Sequence, residues 1–310
     1  MSSSRIRLAV VGVGKIVRDQ HLPSIALLSD YDLVAAASRN ATVDGVANFK
    51  TIDEMLESMQ DIDAVALCMP PKYRYEAAKS ALSKGVDVLL EKPPGATVSE
   101  VELLNEIAVK NDATLFATWH SRYACAVNKT RDYLADKKIT SVTVDWCEDV
   151  RKWHPGQEWI WQAGGLGVFD PGINGLSILT HILSESVYVK SSNLVFPENK
   201  AAPIAADMAL TTNNELPIDV RFDWRQQGNE IWSISLLADG HEVIISGGGT
   251  KLTIDGEVQV CSDKEEYVAI YEQFAKLIRN DKSDVDLAPL KLAADAFLMA
   301  ERQIVNAFEW

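Results

Sequence analysis

The N-terminal part of the chain alternates short apolar runs with segments of helical periodicity. The apolar runs occupy residues 6–11, 31–38, 64–69, 86–90 and 114–118. Continuous runs of Val, Leu, Ile and Ala are typical of parallel strands that are buried on both faces. Their alternation with helices predicts an α/β fold, in which a doubly wound parallel sheet is covered by helices on both sides.

Local signals predict where some of these helices begin and bend. Thr51 precedes a short helical segment and is a suitable N-cap. Thr97 and Glu100 have the spacing of a capping box, which predicts a helix that starts directly after Thr97. Pro23 interrupts the helical pattern of residues 15–28, so we expect a kink or two short helices there.

The pattern changes after about residue 125 and becomes rich in alternating, strand-like segments. The predicted strands are 141–146, 187–196, 204–212, 217–224, 230–237 and 241–245, and the predicted helices are 127–137, 175–183, 264–280 and 287–308. This order predicts an α+β domain with a large, open, mostly antiparallel sheet that carries helices on one face. We therefore expect two domains, at residues 1–123 and 124–310.

Composition narrows the class of ligand. The formal net charge of −14 disfavours binding to nucleic acid or to an anionic membrane, both of which attract basic surfaces. The chain has no apolar run of the ~20 residues that cross a membrane and no signal-peptide core. Its four cysteines are scattered and its five histidines lack ligand-like spacing. We expect a cytoplasmic protein that acts on a small molecule and holds no metal.

A glycine-containing turn follows the first strand. Gly12 is placed to make the tight turn, and Gly14 would let the backbone approach a pyrophosphate at the N-terminus of the next helix, beside Lys15 and Ile16. Val17 occupies the third glycine position of the dinucleotide fingerprint, so the match is incomplete. By itself the turn is equally compatible with an ordinary strand-to-helix connection.

The ends of the next strands indicate the type of cofactor. Ser38 and Arg39 stand where an NAD-selective domain usually carries an acidic residue for the ribose hydroxyl. A hydroxyl and a guanidinium suit a 2′-phosphate, which favours NADP over NAD, although an exposed loop arginine would look the same. Pro70 and Pro71 follow the strand at 64–69 and are expected to border this cofactor.

Three features together resemble one oxidoreductase family. The glycine turn is followed by Glu91-Lys92-Pro93 and, downstream, by Gly-Gly-Leu-x-x-x-Asp-x-Gly at residues 164–172. This combination is similar to the glucose–fructose oxidoreductase/inositol dehydrogenase (Gfo/Idh/MocA) family over essentially the whole chain. The resemblance implies an N-terminal Rossmann domain that binds NAD(P), with Glu91 and Lys92 next to the cofactor.

Longer motifs resemble one branch of that family, the bacterial dehydrogenases that act on C1 of L-arabinose and D-galactose. These motifs are residues 14–23, 90–97, 117–122, 153–157 and 169–174. The resemblance implies oxidation of a pyranose at C1 to the aldonolactone, with hydride transfer to the nicotinamide.

This oxidation needs a group that accepts the proton of the anomeric hydroxyl. We hypothesise that Asp170 is the general base, that Lys92 stabilises charge on the reacting oxygen and relays the proton, and that Asn174 orients the hydroxyl. Asp170 and Asn174 lie four residues apart and so share one helix face. Asp170 is also a ready N-cap in front of Pro171. Position 174 usually holds histidine in the wider family, and asparagine does not titrate.

Further polar and aromatic residues are candidates for holding the sugar. His120, Glu148 and His154 have polar groups suited to vicinal hydroxyls, and Trp153 could stack on the apolar face of the ring. Glu148 could equally be a solvated acid, and a tryptophan cluster that includes Trp159 could simply fix a loop by burial.

Three other interpretations stay open at this point. The protein could catalyse another reaction of the family, such as inositol 2-dehydrogenation. It could also be a non-catalytic sensor of NADP or sugar, although Lys92 and Asp170 favour an enzyme. A third, interaction-only interpretation rests on the open sheet face of the second domain, which also predicts a homodimer, because an apolar face of several strands would need to be covered.

Overall fold

The computed structural model describes residues 5–261 and 265–310. The chain forms two compact units. Unit 1 contains the residues up to Trp119 together with Tyr267–Asp286, and unit 2 contains His120–Glu266 together with Leu287–Trp310. The expected division after residue 123 placed Tyr267–Asp286 in the second domain. In the structure this C-terminal helical segment belongs to unit 1.

Unit 1 contains a six-stranded sheet in which every neighbouring pair is parallel. The strands are β1 (Ile6–Val11), β2 (Tyr31–Ala37), β3 (Ala47–Phe49), β4 (Ala64–Leu67), β5 (Asp87–Leu90) and β6 (Leu115–Ala117). Their order is β3-β2-β1-β4-β5-β6, so the strand order reverses between β1 and β4. The predicted doubly wound parallel sheet is confirmed, and ligands of such sheets bind beyond the carboxyl ends of the strands at this reversal.

The helices of unit 1 connect these strands. They are α1 (Leu22–Ala26), α2 (Ile52–Ser58), α3 (Arg74–Leu82), α4 (Val98–Lys110) and α8 (Glu266–Arg279), the last from Tyr267 onward. Both predicted caps are confirmed. Thr51 accepts a hydrogen bond from the Glu54 amide, and Thr97 and Glu100 form a capping box.

The helix after β1 is wound unusually near Pro23. Residues Val17–His21 are π-helical and continue directly into α1, where Pro23 is the second residue. Proline cannot donate the i→i−4 hydrogen bond of an α-helix, and here the turn that precedes it is π-wound. The expected irregularity is therefore present as a π-helical stretch rather than as two separate helices.

Unit 2 contains a nine-stranded sheet, with the order β14-β13-β12-β11-β7-β10-β9-β8-β15. Only the β7–β10 and β8–β15 pairs are parallel, so the sheet is mixed and mostly antiparallel, as predicted. The strands are β7 (Ile139–Cys147), β8 (Val187–Pro197), β9 (Ala205–Thr212), β10 (Ile218–Asp223), β11 (Ile231–Ala238), β12 (His241–Ser246), β13 (Lys251–Ile254), β14 (Glu257–Gln259) and β15 (Ala300–Val305).

The helices of unit 2 are α5 (Cys125–Leu134), α6 (Val150–Trp153), α7 (Phe169–Ile182) and α9 (Ala288–Leu298). Helix α7 lies close against the sheet. A Cβ atom on Gly172 would be 2.4 Å from the Phe222 ring of β10, so only glycine allows this approach. The first turn of α7, which carries Asp170, is thereby held on the sheet.

Two predicted helices need correction. Helix α7 begins at Phe169, six residues before the predicted start. The predicted helix 287–308 ends at Leu298, and Ala300–Val305 forms the edge strand β15, because parallel pairing with β8 overrides the helix-favouring composition. The helix predicted for 264–280 is α8, and Lys264 lies outside the described residues.

Candidate active site

The glycine turn after β1 leaves room for a ligand to approach the protein backbone. Gly12 has φ +89°, and a Cβ atom there would be 2.7 Å from the Met69 amide nitrogen. Apart from Gly14 itself and its two chain neighbours, no described residue has an atom within 4 Å of the position that a Cβ of Gly14 would take. The pyrophosphate of a dinucleotide fits a backbone of this kind at the start of a helix. Val17 is buried at the third fingerprint position, where the helix is π-wound.

Of the other predicted cofactor residues, Lys15 and Ile16 follow this turn directly, and Pro70 and Pro71 follow β4. Lys15 is exposed and pairs with Asp19 within the same helix. Ile16 is 38% exposed. Pro70 precedes a short 3₁₀ turn, Pro71–Tyr73, which leads into α3.

The predicted phosphate-recognition residues follow β2. The Ser38 amide donates to the Phe49 carbonyl of β3, at 2.9 Å. Arg39 is exposed, and its guanidinium carbon is 5.8 Å from the centroid of the Tyr73 ring. The chain thus presents a cation and an aromatic ring at the carboxyl-terminal side of the sheet.

Glu91, directly after β5, is buried in a dense polar network. One carboxylate oxygen accepts a 2.7 Å hydrogen bond from the Tyr267 hydroxyl and lies 3.0 Å from His21 Nε2. The other oxygen accepts from the Lys92 amide at 2.9 Å. His21 Nδ1 is 2.7 Å from the Tyr271 hydroxyl. The side chain before Lys92 is therefore held by residues from both ends of the chain.

Burial of His21 acts to lower its pKa, since it disfavours the charged ring. Cys68 and the Glu91 carboxylate outweigh this effect and raise the pKa of His21 to about 10. Cys68 Sγ lies 3.6 Å from His21 Nε2. The ring is thus an imidazolium at neutral pH and forms an ion pair with Glu91.

Arg74 holds the main chain on both sides of Lys92. Its side chain is 2% exposed and donates to the carbonyls of Glu91, Pro93 and Met69. The Lys92 side chain itself is partly exposed, and the Lys92–Pro93 peptide is cis. Sequence reasoning missed Arg74, which looked like one more polar residue of an amphipathic helix.

A second polar cluster forms within unit 2 from three predicted site residues. Glu148 follows β7, His154 follows α6 and Asp170 lies in the first turn of α7. His154 Nε2 is 3.3 Å from Glu148 Oε1, and His154 Nδ1 is 3.9 Å from Asp170 Oδ2. Glu148 and Asp170 are 3% and 4% exposed, so the expectation that Glu148 could be a solvated acid is wrong.

Two polar atoms of this cluster are buried without a hydrogen bond, Glu148 Oε1 and His154 Nδ1. The other oxygen of Glu148 accepts a 2.9 Å hydrogen bond from the indole nitrogen of Trp232 on β11. Trp232 was not among the predicted residues, because nothing in its local sequence distinguishes it from a strand tryptophan. The unpaired atoms are the ones that a polar ligand could satisfy.

The position of Asp170 corrects its predicted role as a helix cap. The N-cap of α7 is Val168, and Asp170 and Pro171 are the second and third helical residues. Proline is tolerated there because the amides of the first turn have no acceptor within the helix. The positive end of the helix dipole favours the Asp170 carboxylate, and Asn174 follows one turn later on the same face.

The remaining two predicted sugar-binding residues have other partners. His120 Nδ1 is 2.8 Å from Glu266 Oε2. Trp153 is 42% exposed, and its indole nitrogen donates to Glu230 at 3.1 Å. Its ring centroid is 5.0 Å from that of Trp232, which connects it to the Glu148 side of the cluster.

Neither a metal centre nor a membrane span is found among residues 5–261 and 265–310. No group of three His, Cys, Asp or Glu side chains there could hold an ion. No helix in the same ranges is long and apolar enough to cross a bilayer.

The parallel sheet, the glycine turn and the Glu-Lys-Pro segment define a nucleotide-binding oxidoreductase. The family model described as "Oxidoreductase family, NAD-binding Rossmann fold" matches residues 6–118. The chain is also 42% identical over 303 residues to the galactose 1-dehydrogenase of Pseudomonas fluorescens, covering 98% of each chain. The chain belongs to the Gfo/Idh/MocA oxidoreductase family.

Solved structures support the same assignment. The D-galactose-1-dehydrogenase of Rhizobium etli is 55% identical, has a TM-score of 0.97 and is matched over 99% of its chain and 100% of this one. A 3-ketoreductase from Actinomadura kijaniata, solved with NADP, has a TM-score of 0.83 at 17% identity, with 97% of this chain and 100% of that one covered. At that identity the likeness establishes the fold alone.

Proposed function

We propose that the protein is an NAD(P)-dependent aldose 1-dehydrogenase that prefers NADP and oxidises D-galactose and L-arabinose to their lactones. The observation that carries the proposal is the cluster of Glu148, His154 and Asp170, in which Glu148 Oε1 and His154 Nδ1 are buried without a hydrogen bond and could pair with sugar hydroxyls. Similarity over nearly the whole chain to two proteins named galactose 1-dehydrogenase supports the same substrate class.

The chemistry assigns distinct roles to the residues. When bound, a nicotinamide dinucleotide supplies the acceptor for the C1 hydride. Asp170 is the general base that takes the proton of the anomeric hydroxyl, and Asn174 orients that hydroxyl through its amide. Lys92 stabilises the negative charge that develops on the oxygen and relays the proton.

The remaining hydroxyls need polar partners that distinguish axial from equatorial positions. We assign Glu148, His154 and His120 to these contacts, because each has a side chain that can bond a hydroxyl. The half-exposed Trp153 ring is assigned to the apolar face of the pyranose.

The first experiment compares D-galactose, L-arabinose, myo-inositol and methyl β-D-galactopyranoside as substrates, with formation of reduced nicotinamide as the readout. The methyl glycoside has no free anomeric hydroxyl, so a C1 dehydrogenase leaves it unoxidised. We expect turnover with the two free aldoses only. Oxidation of the glycoside would indicate reaction at another carbon, and oxidation of myo-inositol would support inositol 2-dehydrogenation. Binding of NADP without any turnover would support a sensor.

Preference for NADP is assigned to Ser38 and Arg39. Removing one charge-assisted contact costs about 1–2 kcal/mol, so we expect Arg39→Ala to raise the KM for NADP about ten-fold. The KM for NAD serves as the internal control and should change little. An equal change for both cofactors would remove Arg39 from phosphate recognition.

We further propose a homodimer that forms through the sheet of unit 2. Leu298, Met299 and Ile304 are exposed on or next to the edge strand β15, and exposed aliphatic groups at a sheet edge favour association. Light scattering at micromolar concentration should give twice the monomer mass, whereas a monomer mass would contradict the proposal.

The four free cysteines support a reducing compartment, the cytoplasm.

A further inference from the structure

We propose that His154 receives the substrate proton from Asp170 and that Glu148 holds the imidazole for this transfer. The inference rests on the proposed function and extends it: Lys92 relays the proton at the reacting oxygen, and His154, otherwise a sugar-binding residue, carries it onward from Asp170. It follows from the arrangement of the three side chains around one ring.

The two nitrogens of His154 face two different carboxylates. Nε2 lies 3.3 Å from Glu148 Oε1, and Nδ1 lies 3.9 Å from Asp170 Oδ2. The indole of Trp224, which follows β10, is the third neighbour of the ring, with 5.4 Å between centroids. The charged groups that face His154 from α7 and from the end of β7 are thus both acids.

Glu148 is fixed in a way that suits an orienting role. Trp232 Nε1 donates to its second oxygen at 2.9 Å, which leaves the first oxygen directed at His154. Glu148 Oε1 makes no hydrogen bond with Nε2 at 3.3 Å, so the carboxylate acts on the ring through its charge, which favours a proton on Nε2 and stabilises the imidazolium that forms later. The lone pair of Nδ1 is then on the side of Asp170.

The relay returns Asp170 to its carboxylate form after it has taken the substrate proton. The hydroxyl O–H bond breaks and its proton goes to Asp170, while the C1–H bond breaks and its electron pair goes to the nicotinamide dinucleotide. The protonated carboxyl group then gives its proton to the neighbouring ring, because an imidazole nitrogen is a stronger base than a carboxylate. Asp170 is then a carboxylate again, and His154 is an imidazolium next to Glu148.

Two further observations favour a relay over simple hydroxyl binding. Nδ1 is buried and has no hydrogen bond, so its proton-accepting site is available. The side chain at position 174 is an amide, which cannot carry the proton onward. The 3.9 Å separation is longer than a hydrogen bond of about 3 Å, so the transfer needs an approach of about 1 Å by the two side chains.

The test uses His154→Asn, with His241→Asn as the matched control. His241 is an exposed histidine of unit 2 that pairs with Asp255. Loss of a proton-transfer group typically costs about 100-fold in rate, so we expect kcat with D-galactose to fall by that factor in His154→Asn. The KM should change less than about three-fold, and the control should retain the parental kcat.

Three readouts separate a relay from a structural role. In His154→Asn the rate should rise with pH across the range in which the parent enzyme is constant, because solvent must now take the proton. The solvent isotope effect should increase, and the isotope effect of C1-deuterated galactose should fall. Added imidazole should restore activity to His154→Ala.

Unchanged pH dependence together with a raised KM would make His154 a binding residue and overturn the relay. Failure of imidazole rescue in a variant that still binds galactose would also overturn it. In either case turnover by the parent enzyme would leave the proposed function intact. If the parent enzyme oxidises no aldose, the proposed function and the relay fall together.

Discussion

The two polar clusters of this protein are built from similar residues but differ in how completely they are satisfied. In unit 1, both oxygens of Glu91 accept hydrogen bonds, and both nitrogens of His21 have partners. In unit 2, Glu148 and His154 each retain one buried polar atom without a hydrogen bond. Glu91 and His21 are thus fully paired by protein groups, whereas Glu148 and His154 each leave one buried polar atom that a ligand could pair with.

This difference indicates that the two clusters have different roles, one structural and the other chemical. A buried polar atom without a partner costs about 1–3 kcal/mol, and proteins tolerate that cost mainly at functional sites. We infer that the Glu91 cluster positions Lys92 and that the Glu148 cluster receives the sugar. Substitutions in the second cluster should therefore change kcat, and substitutions in the first should change mainly stability.

The largest expected effect is that of Asp170→Asn. An amide retains the size of the side chain but cannot take the hydroxyl proton, so we expect kcat to fall about 1,000-fold while the protein stays folded. Steady-state kinetics with D-galactose measure this loss, and Asp207→Asn on an exposed position of β9 is the control. Near-full turnover of Asp170→Asn would exclude Asp170 as the base.

In the satisfied cluster, His21→Phe should reduce stability rather than chemistry. Breaking a buried ion pair costs about 3 kcal/mol, which urea unfolding can measure. The pKa of His21 is about 10 in the folded protein and near 6.5 in the unfolded chain. The imidazolium therefore contributes its full stability below pH 6.5, and that contribution is lost as the pH rises towards 10.

The pH dependence makes this prediction testable against a simple packing effect. The difference in unfolding free energy between the parent and His21→Phe should be largest at pH 6.5 and should shrink at pH 10. A difference that is constant between these two values would contradict an ion pair between His21 and Glu91.

The smallest expected effect is that of Tyr267→Phe. Glu91 keeps its contacts with His21 and Lys92, so we expect a loss of about 1 kcal/mol in unfolding free energy. The kcat should fall only a few-fold, with unchanged KM for galactose, because Lys92 is less firmly held. Tyr188→Phe, at a half-exposed position of β8, is the control. A larger loss of kcat than in Asp170→Asn would reverse the roles of the two clusters.

Local sequence signals account for much of the fold. Continuous apolar runs predicted the parallel strands of unit 1, and Thr51 and Thr97 marked two helix starts. The segment Ala300–Val305 could not be predicted, because its strand conformation depends on pairing with β8, more than 100 residues earlier in the chain. Asp170 was misjudged as a cap, because Asp-Pro is also compatible with the second and third positions of a helix.

In the candidate site, too, local sequence identifies some residues and misses others. Lys92, Asp170 and Asn174 stand in motifs that can be read from the sequence, and their roles remain predictions. His21 and Tyr267 could not be found in this way, since they contact Glu91 across separations of 70 and 176 residues. Trp232 was missed for the same reason, because its contact with Glu148 spans 84 residues.

The most direct test of the account is the fate of deuterium from D-galactose labelled at C1. Mass spectrometry of the reduced dinucleotide formed by the parent enzyme measures it. If the protein oxidises the sugar at C1, the reduced dinucleotide carries one deuterium and the product is the galactonolactone. An unlabelled reduced dinucleotide, formed while galactose is consumed, would mean that the hydride leaves another carbon and would contradict the proposed function.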